Sequence, residues 1–162
     1  ILIPEDVQHL TVQPGSSRLN TVAIGEGLFD ASIDYFGQVF EDAFVVYTLD
    51  DPRVRDVVIV LSIVSCRPQY EWGFFAGHEY VCDIVLRMEV LVDFEPVWDV
   101  RYVGEGTADV SMSPFHGIRE IENACRRSVG AALRQVFNSA AEDLIEKPPL
   151  VLAFHDVVHR AN

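Results

Sequence analysis

From Tyr80 to Met112 apolar and polar residues change places at almost every step. Tyr80, Cys82, Ile84, Leu86, Met88, Val90 and Val92 hold one parity, while Asp83, Arg87, Glu89 and Asp93 hold the other. After Asp93-Phe94-Glu95-Pro96 the pattern resumes. Trp98, Val100, Tyr102, Gly104, Gly106, Ala108, Val110 and Met112 stand on one side, and Asp99, Arg101, Glu105, Thr107 and Asp109 on the other. A strand turns successive side chains to opposite faces, whereas a helix repeats every 3.6 residues. Two such runs across a short turn therefore predict a long antiparallel hairpin with one buried and one wet face. That greasy face needs a cover.

Two segments can supply it. Phe29, Ile33, Phe36 and Phe40 recur at helical spacing, with Asp30, Asp34, Gln38 and Glu41 elsewhere, which predicts a helix over about Leu28 to Asp42. Ile118, Ile121, Cys125, Val129, Ala132, Val136, Ala140 and Leu144 mark a second, longer helix. Its wet side carries Arg119, Glu122, Arg126, Arg127, Arg134 and Glu142, and Pro148-Pro149 stops it. Thr21 to Ile24 and Phe44 to Leu49 read as short strands, and Asp56 to Ser65, rich in Val and Ile, as a central one. Arg67 to Glu79 reads as a long connection.

The expected fold class is α+β: an antiparallel β-sheet of four to five strands with two amphipathic helices packed on one face. Residues 1–20, turn-rich around Pro4, Pro14 and Gly15, form an extended lead-in. Residues 21–147 form the single domain, and 148–162 a tail suited to one added strand. A chain of 162 residues fits one domain.

Composition narrows the partners. Twelve Lys+Arg against twenty-five Asp+Glu give a formal charge of -13, which repels phosphate backbones and anionic headgroups, so nucleic acid is not an expected partner. The acidity serves solubility first, and a cationic partner second. No stretch approaches the roughly 20 apolar residues of a membrane span. The sequence opens on Ile1 without a signal-type segment, so a trimmed or processed chain is expected. An upstream export signal or lipid-attachment cysteine would lie outside it.

Chemical motifs are sparse. Cys66, Cys82 and Cys125 form no CxxC pair, so neither zinc nor a thioredoxin-like motif is expected. A Cys66–Cys82 disulfide is conceivable, although regular strands would set the two on opposite parities. Cys125 reads as a core thiol. Gly104-Glu105-Gly106 lacks the rest of a phosphate loop and lies inside a strand. Its glycines read as a place where a helix comes close, or as the mark of a bulge. Gly25-Glu26-Gly27 reads as a plain turn. His155 and His159, four apart with Asp156 beside them, would present two nitrogens to one metal on a helix, but the terminal position and the strand-like run before them argue against a preformed cage. No GxSxG or HExxH occurs, and no catalytic residue, metal site or cofactor is expected.

One segment stands out. Arg67 to His78 holds Tyr70, Trp72, Phe74 and Phe75 between Pro68 and Gly77, and exposed aromatic rings on a connection mark contact surfaces. Tyr70, Trp72, Phe74, Phe75 and His78 are the expected interaction surface; the competing reading folds these rings over the sheet edge as a satellite core.

The order of elements carries a resemblance. A strand ending in Gly, the helix with Phe36 and Phe40, the strand Arg55-Asp56-Val57-Val58-Ile59-Val60-Leu61, the hairpin strand Trp98 to Ala108 and the helix Ala124 to Leu144 follow one another over residues 20–145. This order resembles small bacterial envelope lipoproteins of the YajG and curli-secretion accessory type, and the auxiliary lipoproteins of envelope ABC transport systems. The resemblance implies an exported, non-enzymatic accessory or assembly protein that binds protein partners of the cell envelope and forms homo-oligomers. It further implies a periplasmic or outer-membrane location, with membrane contact only through an upstream lipid anchor, for which this sequence offers no matching cysteine. Two other readings compete: a small-ligand binder with a pocket near Phe36, Trp98 and Tyr102, and an enzyme using converging carboxylates.

Overall fold

A computed structural model describes residues 1–13, 22–40, 43–54, 57–73, 77–110 and 117–147, apart from the side chains of Val39, Trp72 and Ile118. The elements run α1 (Glu5–Gln8), β1 (Thr11–Val12), β2 (Val22–Ala23), α2 (Ile24–Val39), β3 (Val57–Gly73), β4 (Gly77–Val92), β5 (Glu95–Asp109) and α3 (Gly117–Glu146). The last three strands form one antiparallel sheet in the order β3-β4-β5, and β1 and β2 make a separate two-stranded ribbon. The fold is α+β, as the alternation requires.

The β4–β5 hairpin follows the sequence pattern. Tyr80, Cys82, Ile84, Leu86, Met88 and Val90 are buried in the central strand, each worth about 1.5–3 kcal/mol for the larger aliphatic side chains. Their cross-strand partners run from Ala108 opposite Tyr80 to Trp98 opposite Val90. The turn is only two residues, Asp93 and Phe94, both with positive φ (51° and 66°). That backbone matches the twist of a tight hairpin but costs a non-glycine residue energy. A bulge beside Val90 leaves Val97 as the surplus residue.

The helix α3 lies across β5 and β4, running opposite to β5: its Ser128 meets Gly106 and its Val136 meets Gly104. The two glycines explain the fit. A methyl on Gly104 would sit 2.6 Å from Val136 Cγ2 and collide with the Ala132 carbonyl; one on Gly106 would collide with the Ser128 carbonyl and the Ala132 nitrogen. Helix backbone touches strand backbone there, which is the close approach the glycine pair predicts. Ala124, Cys125, Val129, Ala132, Leu133, Val136, Phe137, Ala140 and Leu144 form the buried stripe of α3.

The structure departs from the sequence expectation in six places. Among the described residues the sheet pairs three strands, where four to five are expected. The expected strand Phe44 to Leu49 contributes a single parallel bridge, Val46 to Leu2, and Leu2 bridges on to Val60. Of the expected strand Thr21 to Ile24, Val22 and Ala23 form β2, paired with β1, Ile24 already starts the helix, and Thr21 lies outside the described residues. That helix is Ile24–Val39 rather than Leu28 to Asp42, and it leans mainly on α3, where Phe36 meets Phe137 edge-on at 5.7 Å. Its innermost line is Ile24, Leu28, Ser32 and Phe36, so Ile33 is 41% exposed. Ser32 takes the inner place because its hydroxyl is satisfied locally, donating to the Phe29 carbonyl at 2.8 Å.

The opening residues are core. Leu2 donates to the Ile59 carbonyl at 2.7 Å and accepts from Leu61 at 2.9 Å, and Ile3 is fully buried. Leu2, Val46, Val58 and Leu91 make a second small cluster on the far face of the sheet, which therefore is covered at that end. The expected tail strand and the proline stop at Pro148-Pro149 lie outside the described residues, as do His155 and His159.

The sixth departure matters most for the site. Arg67 to Glu79 is not a loop: β3 continues to Gly73 and β4 begins at Gly77, with Pro68 opposite Cys82, Tyr70 opposite Tyr80 and Trp72 opposite His78. A bulge hides this. Ile63 faces Leu86 but Ser65 faces Val85, so Val64 is surplus and is 49% exposed. Past it the core-facing parity of β3 switches from odd (Ile59, Leu61, Ile63) to even (Cys66, Tyr70), and the alternation falls out of step. Pro68 is tolerated because past Leu61 β3 is an edge strand among the described residues.

Candidate functional site

The far end of the β3–β4 hairpin carries two of the five expected interaction residues side by side. Tyr70 and His78 stack at 5.7 Å with ring planes 15° apart, and the Tyr70 hydroxyl bonds to His78 Nδ1. Tyr70 also rests on Tyr80 at 5.4 Å. Tyr80 is buried and belongs to the main core, and burial pushes its phenol pKa up. Tyr70 is 40% exposed. The result is a ring held from below and from one side, with its outer part in water. Phe74 and Phe75 and the Trp72 side chain lie outside the described residues, so the structure assembles Tyr70 with His78 and is silent on the other three.

The bulge also reorders the cysteines. With the parity of β3 switched, Cys66 and Cys82 stand on the same face, diagonal to one another, with sulfurs 3.6 Å apart and unbonded. The contact with Cys66, and then burial, push the Cys82 thiol strongly upward. Cys125 is buried in α3, and burial raises it to about 11. Thiolate, the reactive form, is scarce at both.

The three residues of the expected ligand pocket all belong to the main core or pack against it. Phe36 is buried against Phe40 and Phe137. Tyr102 is buried and donates to Asp143 Oδ2 at 2.9 Å; burial first and Asp143 second raise its pKa. Trp98 is half-buried, and its Nε1 lies beside the Tyr102 hydroxyl but completes no hydrogen bond among the described residues. A buried donor left unmade costs about 1–3 kcal/mol. Among the described residues no group of three or more His, Cys, Asp or Glu is placed to hold a metal. No helix among them is long and apolar enough to cross a membrane.

A feature the sequence reading passed over lies beside β5. Arg126, Arg127 and Arg134, marked only as part of a wet helix side, line an open groove of about 450 Å³ with Thr107, Ala108 and Gly130. Arg126 pairs with Glu122 at 2.9 Å and Arg127 with Glu120 at 3.2 Å, while Arg134 makes no ion pair among the described residues. Sequence periodicity places the arginines on the helix; only the packing of α3 over the outer strand makes them one wall of a groove. On the far face of the sheet Arg87 grips Asp99 with two hydrogen bonds, 2.8 and 2.7 Å, and holds its carboxyl below the usual range.

No protein-family model and no curated protein matches this sequence. Among solved structures, a Xanthomonas campestris protein of the DUF330 family aligns over 96% of this chain and 86% of its own, with TM-score 0.53 and 13% identity. A candidate lipoprotein of Caulobacter crescentus CB15 aligns over 87% and 94% (TM-score 0.44, 15% identity), and a minor lipoprotein of Acinetobacter baumannii over 88% and 90% (TM-score 0.47, 7% identity). At this identity the Xanthomonas likeness shows a shared fold.

Proposed function

We propose that this chain is a non-enzymatic accessory protein of a bacterial cell envelope that binds protein partners through the tip of the β3–β4 hairpin. The observation that carries the binding surface is the Tyr70–His78 stack. A ring already fixed by His78 and Tyr80 loses little rotamer freedom when a partner covers it, so its area converts efficiently into affinity. Envelope location is supported by the order of elements that resembles small envelope lipoproteins. Homo-oligomerisation through the same tip belongs to this reading. Membrane attachment would come only from a lipid anchor upstream.

A photo-crosslinking residue at position 70 tests the surface. Discrete adducts in envelope fractions are expected from position 70, and none from a control at the exposed Ile33. Tyr70→Ser and Trp72→Ser should leave the far-ultraviolet circular dichroism unchanged while removing whatever association the wild type shows. A folded protein that gives no adducts at position 70 overturns the tip as the contact surface. The orphaned Trp98 N–H favours a second reading, a small ligand bearing a hydrogen-bond acceptor at the Trp98–Tyr102 junction. Native mass spectrometry of the purified chain should then show a co-purified mass that Trp98→Phe loses, and a bare chain mass removes this reading.

A further inference from the structure

The strand β5 ends the sheet, and no strand among the described residues pairs with its outer side. Two side chains of α3 reveal how that edge is oriented. The Glu105 N–H donates outward to Gln135 Oε1 at 2.7 Å, and the Asp109 carbonyl accepts from Arg127 Nη2 at 2.8 Å. In an antiparallel strand both backbone groups of one residue point the same way. Past the bulge, the odd residues Asp99, Arg101, Val103 and Thr107 therefore aim their N–H and C=O outward too. Gln135 and Arg127 stand where the carbonyl and the N–H of a neighbouring strand would stand. Both are held only by exposed side-chain contacts that an incoming backbone can replace. The stretch from Trp98 to Asp109, regular and without a strand on its outer side among the described residues, is a template for another chain.

The groove beside this edge says what chemistry the other chain carries. The protein has twelve basic residues against twenty-five acidic ones, yet three arginines line one wall of a single groove. Even-numbered residues of β5 face α3, so a strand laid along the edge sends every second side chain toward that wall. Arg127 and Arg134 are seven residues apart, ~10 Å along a helix. Carboxylates two or four residues apart on a strand, at ~3.4 Å per residue, bracket that distance. The carboxylates that Arg126 and Arg127 hold, Glu122 and Glu120, are exposed surface partners on their own helix and are easily exchanged.

We propose that the outer edge of β5 accepts an extended acidic segment of a partner protein as an added strand, its carboxylates lodged against Arg126, Arg127 and Arg134. This extends the partner-binding reading to a second surface and does not use the Tyr70–His78 tip, so either can fail without the other.

The test is fluorescence anisotropy with a labelled nine-residue peptide of alternating Glu and Val, titrated with the full chain at low salt. Arg126→Glu with Arg134→Glu should weaken binding by about tenfold or more, and so should N-methylation of alternate peptide nitrogens, which removes strand hydrogen bonds but no charge. Arg134→Gln, at an exposed side chain without an ion pair among the described residues, should weaken it by about threefold with the fold intact. Gln135→Ala should strengthen it, because a competitor for the Glu105 N–H is gone. Equal binding of the methylated peptide would reduce the groove to a charge effect and overturn the proposal. So would binding indifferent to the arginines, or no binding at all. Sedimentation showing a dimer that Val103→Pro dissolves and that excludes the peptide would assign the edge to a second copy, and that too overturns it.

Discussion

The β3–β4 and β4–β5 hairpins share a strand and differ in almost everything else. The β4–β5 ribbon closes through two residues, runs in step with its alternation from Trp98 onward, and is pressed against α3 at Gly104 and Gly106. The β3–β4 ribbon changes parity at Val64, carries a proline, and ends in a glycine-flanked tip where a tyrosine is fixed but wet. One hairpin is built to hold a helix. The other runs on past the β4–β5 ladder, which reaches Asp109 opposite Glu79 and is followed by one more bond, from the Val110 N–H to the His78 carbonyl at 2.7 Å. The lesson is that regular strands serve the core, and irregularity marks the part of the sheet released from it.

The sharpest way to break this contrast is Gly106→Val. Its side chain has to displace helix backbone, so a loss of about 3 kcal/mol or more is expected, read as a collapse of the urea midpoint. Tyr70→Ser at the other hairpin should shift the same midpoint little. Equal losses at both sites would erase the distinction. Next in size is a bond between Cys66 and Cys82. Diamide should oxidise this pair, removing two hydrogens from the chain mass and raising stability by up to about 3 kcal/mol, while buried Cys125 stays alkylatable only after unfolding. A mass unchanged after oxidation would show that the diagonal placement forbids the bond.

Two smaller effects sharpen the comparison. Phe94→Gly relieves a left-handed backbone at the tight turn and should stabilise by about 0.5–1 kcal/mol, measured as a rise in Tm of a few degrees. Deleting Val64 should cost least, within about 0.5 kcal/mol, because the pairings on both sides of the bulge are already what a regular ladder would have. A large loss would mean the bend itself, not the register, supports the tip.

The same contrast explains how far the sequence could be read. The β4–β5 ribbon and the stripe of α3 follow from periodicity, and of the two uses a strand has for such glycines, a bulge or a close helix, the structure shows the second at Gly104 and Gly106. The course of β3 past Val64 does not, since one surplus residue inverts the parity and makes paired strand look like loop. It also misassigned Cys66 and Cys82 to opposite faces. The Ile1-Leu2-Ile3 start left no periodic trace because it joins the sheet through single bridges. Ser32 lies inside and Ile33 outside because the buried line runs through Ile24, Leu28 and Phe36, the first of which the sequence reading left out of the helix. Of the site, the aromatic composition of the tip was legible, and its Tyr70–His78 pairing was not. The arginine groove exists only where two distant elements lie against one another.

The backbone contact between α3 and β5 has one more consequence. Elsewhere in an interface, side chains act as cushions that let neighbouring parts roll or slide by a fraction of an ångström. At Gly104 and Gly106 no cushion exists, so the long helix and the ribbon beneath it travel as one rigid plate. Any strain imposed by a bound partner must then be absorbed at the margins, by the aromatic tip or by α2, and will not be relayed through the middle.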